Sequence, residues 1–372
     1  MQKYNFMLKQ QKIFFDFLRF CIGSAKEIPD SLKEADWKEL YRIAQKQALL
    51  GVLFHGIKRL PKELAPEQKL LMQWMAMAEQ IRKQNIKLFQ DSMKVCQNFE
   101  NVGFVNCILK GQGNALLYPD PYMRTPGDID IYLSGGRRKI MKYVDRVCPN
   151  QVMRYHHVDF PVMKTAIEVH FIPSYMFFPV HNRRMQKWFG KVMDLQCSNV
   201  VTLPDGYGEI TVPTMSFNVI YILSHLYRHV FTEGIGLRQL IDYYFVLVKS
   251  EEGRVKNLTA LQRELKYLGL WKFAGAVMYV LHETLGLPEE KMITPINVVN
   301  EGRFLLAEIM QGGNFGQYDT RLGSKEHEGK LHRYFRMNLR NLRFVKHYPK
   351  EALSEPLFRT WFALWKKIHG IR

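Results

Sequence analysis

Apolar positions recur every three to four residues through the first hundred residues of the chain. Phe14-Phe15-Asp16-Phe17-Leu18-Arg19-Phe20-Cys21 has this spacing, and Asp36-Trp37-Lys38-Glu39-Leu40-Tyr41-Arg42-Ile43-Ala44 repeats it. The pattern predicts amphipathic helices. Asp36 stands where an N-cap belongs, with Glu39 three residues on, as in a capping box. Pro61 to Pro66 reads as a linker, and a long helix follows over about 67–100, with Met72, Met75, Met77 and Leu88 expected in its packed face. The period then changes. Phe104 to Leu109 is a largely apolar run of strand length, Ile129 to Leu133 reads as another strand, and 153–163 and 165–171 read as two strands joined by a short turn. Helical spacing returns at Val212-Pro213-Thr214-Met215-Ser216, breaks at Gly234-Ile235-Gly236, and resumes from Leu237 to the end. The expected fold is therefore α+β: an N-terminal helical region (1–100), an α/β core with a mixed sheet (101–212) and a C-terminal helical region (213–372).

The densest candidate chemistry lies in the core segment. In Gly127-Asp128-Ile129-Asp130-Ile131-Tyr132-Leu133 two aspartates are separated by one aliphatic residue at the start of a strand. Side chains i and i+2 of a strand share a face. Two carboxylates that close repel unless a cation or a proton lies between them. Hard oxygen ligands suit Mg²⁺, which is usually held by one or two carboxylates together with substrate phosphates. Upstream, the apolar run ends in Lys110-Gly111-Gln112-Gly113-Asn114, a turn whose glycines permit close backbone approach to a ligand. A proline-punctuated loop, 119–127, then carries Arg124, the cation nearest the aspartates in sequence. Downstream, Ala166-Ile167-Glu168-Val169-His170 places Glu168 and His170 on one strand face, which offers a third carboxylate to a two-metal site.

These motifs resemble the nucleotidyltransferase superfamily that includes DNA polymerase β. The run "LKGQGNALLYPDPYMRTPGDIDIYL" followed by "IEVHF" is similar, more narrowly, to a bacterial group of uncharacterised nucleotidyltransferases. The resemblance implies a polymerase β-like core in which a glycine turn binds a nucleoside triphosphate (NTP) and three carboxylates hold Mg²⁺ or Mn²⁺. On this chain the turn is Lys110, Gly111, Gln112, Gly113 and Asn114, and the carboxylates are Asp128, Asp130 and Glu168. The superfamily usually has Gly-Gly or Gly-Ser in the turn, whereas Gln112 follows Gly111 here. Arg124 would add positive charge at the triphosphate, and His170 would orient Glu168 or touch substrate. The reaction implied is transfer of a nucleoside monophosphate to an acceptor hydroxyl with release of pyrophosphate. Two alternatives stay open: a catalytically inactive protein of this fold that binds nucleic acid or a partner, and a nucleotidyltransferase of a toxin–antitoxin pair.

Beyond the core, His225 and His229 lie one helical turn apart without the Glu that a zincin helix needs, which argues against a zinc protease. His225 is a candidate for substrate contact, with packed histidines as the ordinary alternative. Arg238 and Asp242 are spaced to pair on one helix face, or Arg238 to meet a phosphate. Over 330–350, nine cationic or histidine residues interleave with Tyr334, Phe335 and Phe344, a composition that suits either a nucleic-acid surface or solvated helices. Trp361-Phe362-Ala363-Leu364-Trp365-Lys366-Lys367 would suit a membrane surface or ordinary helix docking.

Composition adds direction rather than detail. A net charge of +18 over 372 residues favours an anionic partner such as an NTP, RNA or a sugar phosphate. Five scattered cysteines, odd in number and without a Cys-x-x-Cys pair, point to neither a zinc site nor a disulfide framework. No apolar run reaches the 18 or so residues of a spanning helix, and no leader is visible at the start, so a cytoplasmic location is expected. Nothing in the chain fixes its oligomeric state.

Overall fold

The computed structural model describes residues 2–249, 254–296, 298–323 and 329–371. Helices α1 (Gln2–Ile22), α2 (Trp37–Lys46), α3 (Leu50–Ile57) and α4 (Gln68–Asn101) open the chain. Asp36 caps α2 as expected, its carboxylate accepting from the N–H groups of Lys38 and Glu39. The buried stripe of α4 runs through Leu70, Trp74, Ala78, Ile81, Asn85 and Leu88. Met72 and Met75 fall on the opposite side and lie exposed, at 58% and 53%, which corrects their expected place in the core.

The core segment contains β1 (Asn106–Ile108), α5 (Gln112–Ala115), β2 (Ile129–Leu133), α6 (Gly136–Val147), β3 (His157–Asp159) and β4 (Ile167–His170). The strands form a mixed sheet in the order β1-β2-β4-β3. β2 and β4 are parallel, and the outer pairs are antiparallel. Ile129, Ile131, Leu133, Val158, Ile167 and Val169 enter one apolar cluster with Phe99, Phe104, Ile140 and Val144. By strand alternation, Asp130, Glu168, His170, His157 and Asp159 are left on the opposite face.

Helix α7 (Pro179–Gln196) and a hairpin, β5 (Val200–Thr202) with β6 (Glu209–Thr211), complete this part. Then follow α8 (Met215–Thr232), α9 (Leu237–Lys249), α10 (Arg254–Leu268), α11 (Trp271–Leu285), α12 (Val299–Gly312), α13 (Lys330–Val345) and α14 (Pro349–Ile368). Thr214 caps α8, its Oγ1 accepting from Phe217 N at 3.3 Å. Residues 217–228 of α8 are all buried. A second apolar cluster runs from Ile13 to Ala352, so the helices at the two ends of the chain share one core around α8, α9 and α11. On α13, Phe344 and Arg340 are buried, while Leu331, Phe335, Leu339 and Leu342 are exposed. On α14, Phe362 and Trp365 pack against the sheet cluster and Trp361 is half exposed. No helix of the described residues is long and apolar enough to cross a membrane.

The loop ahead of β2 is pinned by a buried ion pair. Arg124 Nε and Nη2 donate to Asp242 Oδ1 and Oδ2 at 2.8 and 2.7 Å, and Tyr118 Oη donates to Oδ1 at 2.7 Å. The fork of an arginine matches both carboxylate oxygens at once. Asp242 is therefore taken by Arg124 and not by Arg238 on its own helix. Arg238 instead donates Nη1 to Thr125 O at 2.9 Å. Removing one partner strands the other as a buried charge. Asp242→Asn is expected to lower unfolding stability by about 3–5 kcal/mol in urea denaturation; a loss below about 1 kcal/mol would show that the pair does not anchor the loop.

Candidate active site

The N–H of Leu109 donates to Asp130 O at 2.9 Å, so the turn after β1 begins beside Asp130. Gly111 has φ +66°, a conformation glycine adopts without a steric penalty. A Cβ on Gly113 would come within 2.9 Å of Val212 Cγ1, so this position also needs a small residue. The turn sends Lys110 back over the sheet, with Nζ 2.7 Å from Asp130 Oδ2. Gln112 faces away from the carboxylates, its Nε2 donating to Asn85 Oδ1 at 3.3 Å. Asn85 Nδ2 in turn donates to Tyr122 O and Arg124 O, both at 2.8 Å. The residue that departs from the usual turn sequence thus ties the turn to α4 and to the loop before β2. Asn114 is buried.

Parallel register places Asp130 directly opposite Glu168, and the antiparallel register of β3 places Asp159 opposite Glu168 as well. Asp128 immediately precedes β2. His170, fully buried, has Nε2 2.9 Å from Asp130 Oδ1 and 3.5 Å from Glu168 Oε2. The structure therefore brings Lys110, Asp128, Asp130, Glu168 and His170 together. Arg124 is committed to Asp242. Arg238 reaches the loop just before Asp128, where a Cβ on Gly127 would lie 3.7 Å from its Nη1. His225 lies on α8, accepting through Nδ1 from Arg228 Nη2 at 3.3 Å.

The charges explain each other. Asp130 beside it, followed by burial, pushes the Asp128 carboxyl up to about 6. Burial also acts to raise Asp130, but Lys110 and His170 outweigh it and hold that carboxyl well below the ordinary range. Burial likewise acts to raise Glu168, yet it is held below its ordinary value, chiefly by its hydrogen bond with His170. Burial disfavours the charged forms of Lys110 and His170, and the carboxylates around them overcome it and raise both. Lys110, and His170 with its raised pKa, thus offset part of the repulsion among the three carboxylates.

Sequence reasoning passed over His156 and His157. His157 Nδ1 lies 3.3 Å from Glu168 Oε2 and 3.2 Å from His156 Nε2. The alternation His157-Val158-Asp159 carried the signal, but only the pairing of β3 with β4 shows that both side chains meet Glu168. Among the described residues three groups of donor atoms, Asp130/Glu168/His170, His157/Asp159/Glu168 and His156/His157/His170, each gather within 4.8 Å; the first two share Glu168, and Asp128 is in none of them. The residues present thus fit a divalent ion, since carboxylate and imidazole donors converge where like charges already repel.

A lysine–glycine turn, an Asp-x-Asp at the start of a strand and a third carboxylate on the parallel neighbour thus lie together in an α+β fold. Residues 33–286 match the family described as uncharacterised nucleotidyltransferase, and the chain belongs to that family. No curated protein and no solved structure matches it.

The repulsion at Asp128 has a measurable consequence. A carboxyl raised in the folded state favours folding at low pH, and that contribution is lost as pH rises from about 4 to about 6. Asp128→Asn removes the charge, so at pH 8 the metal-stripped variant is expected to be more stable than wild type by about 1–2 kcal/mol, and at pH 4 to match it. Equal or lower stability of the variant at pH 8, read by urea unfolding, would contradict the assigned repulsion.

Proposed function

We propose that the protein transfers a nucleoside monophosphate from an NTP to an acceptor hydroxyl, using Mg²⁺ or Mn²⁺ and releasing pyrophosphate. The observation that carries this reading is the alignment of Asp130 with Glu168 across two parallel strands, with Asp128 adjacent and Lys110 at 2.7 Å. Family membership supports nucleotidyl transfer in general. Asp128, Asp130 and Glu168 would hold the metal, with Glu168 on the acceptor side. The bound metal would lower the pKa of the attacking hydroxyl and take up charge on the leaving pyrophosphate.

The rest falls to the chain. The glycine turn from Lys110 to Asn114 lies on the donor side, where backbone N–H groups and the Lys110 ammonium meet triphosphate oxygens. Arg238, at the loop before Asp128, adds a second cation there. His170 fixes the Asp130 carboxylate by its 2.9 Å contact and keeps Glu168 within reach. Such alignment and charge neutralisation are most of what phosphoryl chemistry asks of a protein. The acceptor oxygen forms a bond to the α-phosphorus, the bond from that phosphorus to the β-bridging oxygen breaks, and the hydroxyl proton leaves to water.

Pyrophosphate release from the four NTPs, measured with Mg²⁺ and a deproteinised small-metabolite extract as the acceptor pool, tests this directly. Asp130→Asn is expected to slow release by on the order of 10²-fold or more, as loss of a preorganised charge in a site does. Unchanged release would remove the metal role of Asp130 and leave the inactive-fold alternative.

A further inference from the structure

A cavity of about 910 Å³ opens beside the carboxylates. Its lining includes Glu168, His157 and Asp159, Arg228 of α8, and residues of α13 and α14. Lys110 to Asn114 are not part of its lining, so it lies on the Glu168 side of the site, away from the glycine turn.

Arg228 is the cation that the mechanism leaves unexplained. It is only 9% exposed, and no described carboxylate lies within ion-pair distance of it. A guanidinium has donors and no acceptor, so its Nη2 donates to His225 Nδ1 at 3.3 Å and to His229 Nε2 at 3.0 Å. Its Nε has no hydrogen-bond partner among the described residues. Glu233, which also lines the cavity, has Oε2 3.4 Å from His229 Nδ1 and feels the Arg228 charge without pairing with it, and the Tyr175 hydroxyl hydrogen-bonds to Arg228. The surrounding histidines carry no charge at neutral pH: burial pushes His156 and His225 well down, and His229 to about 4. Arg124, by contrast, is buried with a carboxylate on its fork. A buried cation is ordinarily paired, and Arg228 instead faces an open cavity.

The remaining walls narrow the ligand. Tyr175 lies under the Arg228 guanidinium at 5.3 Å and stacks on Phe358 at 5.2 Å. Arg333 and Lys366 bring further positive charge to the same cavity from α13 and α14. The volume is near the upper end of small-molecule sites, roughly 300–1,000 Å³. Arginine forks suit phosphate oxygens.

We propose that this cavity is the acceptor site and takes a small phosphomonoester, its phosphate on Arg228 and its free hydroxyl toward Glu168. The term acceptor rests on the nucleotidyl-transfer reading; the anion site rests on Arg228 and the cavity alone.

The test is calorimetric titration of ribose 5-phosphate, inorganic phosphate and ribose into the full-length protein and Arg228→Gln, with Mg·ATP, Mg·CTP, Mg·GTP and Mg·UTP titrated into wild type in parallel. Ribose 5-phosphate and phosphate are expected to bind wild type, ribose not to bind, and Arg228→Gln to lose at least about tenfold in affinity for both anions. Wild-type crystals soaked in tungstate give a readout that does not depend on the variant folding, with a peak expected at hydrogen-bond distance from Arg228. No binding of either anion, affinity unaffected by Arg228→Gln, or a tungstate peak only elsewhere overturns the site. Binding of a short oligoribonucleotide without binding of ribose 5-phosphate also overturns it. Anion binding through Arg228 in a protein that binds no Mg·NTP overturns the acceptor role and, separately, the parent reading.

Discussion

Two carboxylates on one face of a four-stranded sheet, Asp130 and Glu168, with Asp128 just ahead of β2, are the constraint on which the rest of the structure depends. Asp130 and Glu168 face each other across parallel strands, and Asp128 stands one step from Asp130. Such a cluster repels itself unless positive charge is brought in. The chain supplies it from two directions. The turn after β1 returns Lys110 to Asp130, and β4 carries His170, whose pKa the carboxylates raise, two residues beyond Glu168. The glycines of the turn, the Gln112–Asn85 hydrogen bond and the Arg124–Asp242 pair all act to hold this geometry.

The helices of the C-terminal half do more than cover the sheet. α9 places Arg238 at the loop before Asp128, and α8 places Arg228 by the cavity that begins at Glu168. A buried cation thus stands on each flank of the carboxylates. In the proposed reaction the first side receives the NTP and the second the acceptor, so the polarity of transfer is written into which helix faces which carboxylate.

The parts of this arrangement that were legible in the sequence are local ones. Asp-x-Asp at a strand start, Glu-x-His on a later strand, the Asp36 cap, the helix start near Thr214 and the extent of α4 all follow from spacing over a few residues. What was hidden depends on partners distant in sequence. The pairing of Asp242 with Arg124 spans 118 residues, and the i,i+4 spacing to Arg238 pointed to the wrong cation. His157 becomes part of the site only through the register of β3 against β4. Arg228 lies in a stretch of α8 whose residues are all buried, so no alternation of apolar and polar positions marked its face. Met72 and Met75 misled for the opposite reason: apolar side chains need not lie on the packed stripe, which Leu70, Trp74, Ala78 and Ile81 define.

The central claim is that Asp128 and Asp130 hold a metal that in turn holds an NTP. Calorimetric titration of ATP, CTP, GTP and UTP, with and without Mg²⁺, into wild type and into Asp128→Ala/Asp130→Ala tests it most directly. The account predicts binding of at least one NTP that requires Mg²⁺ and disappears in the double variant. Nucleotide binding of equal strength without Mg²⁺, or binding that survives loss of both aspartates, would contradict it.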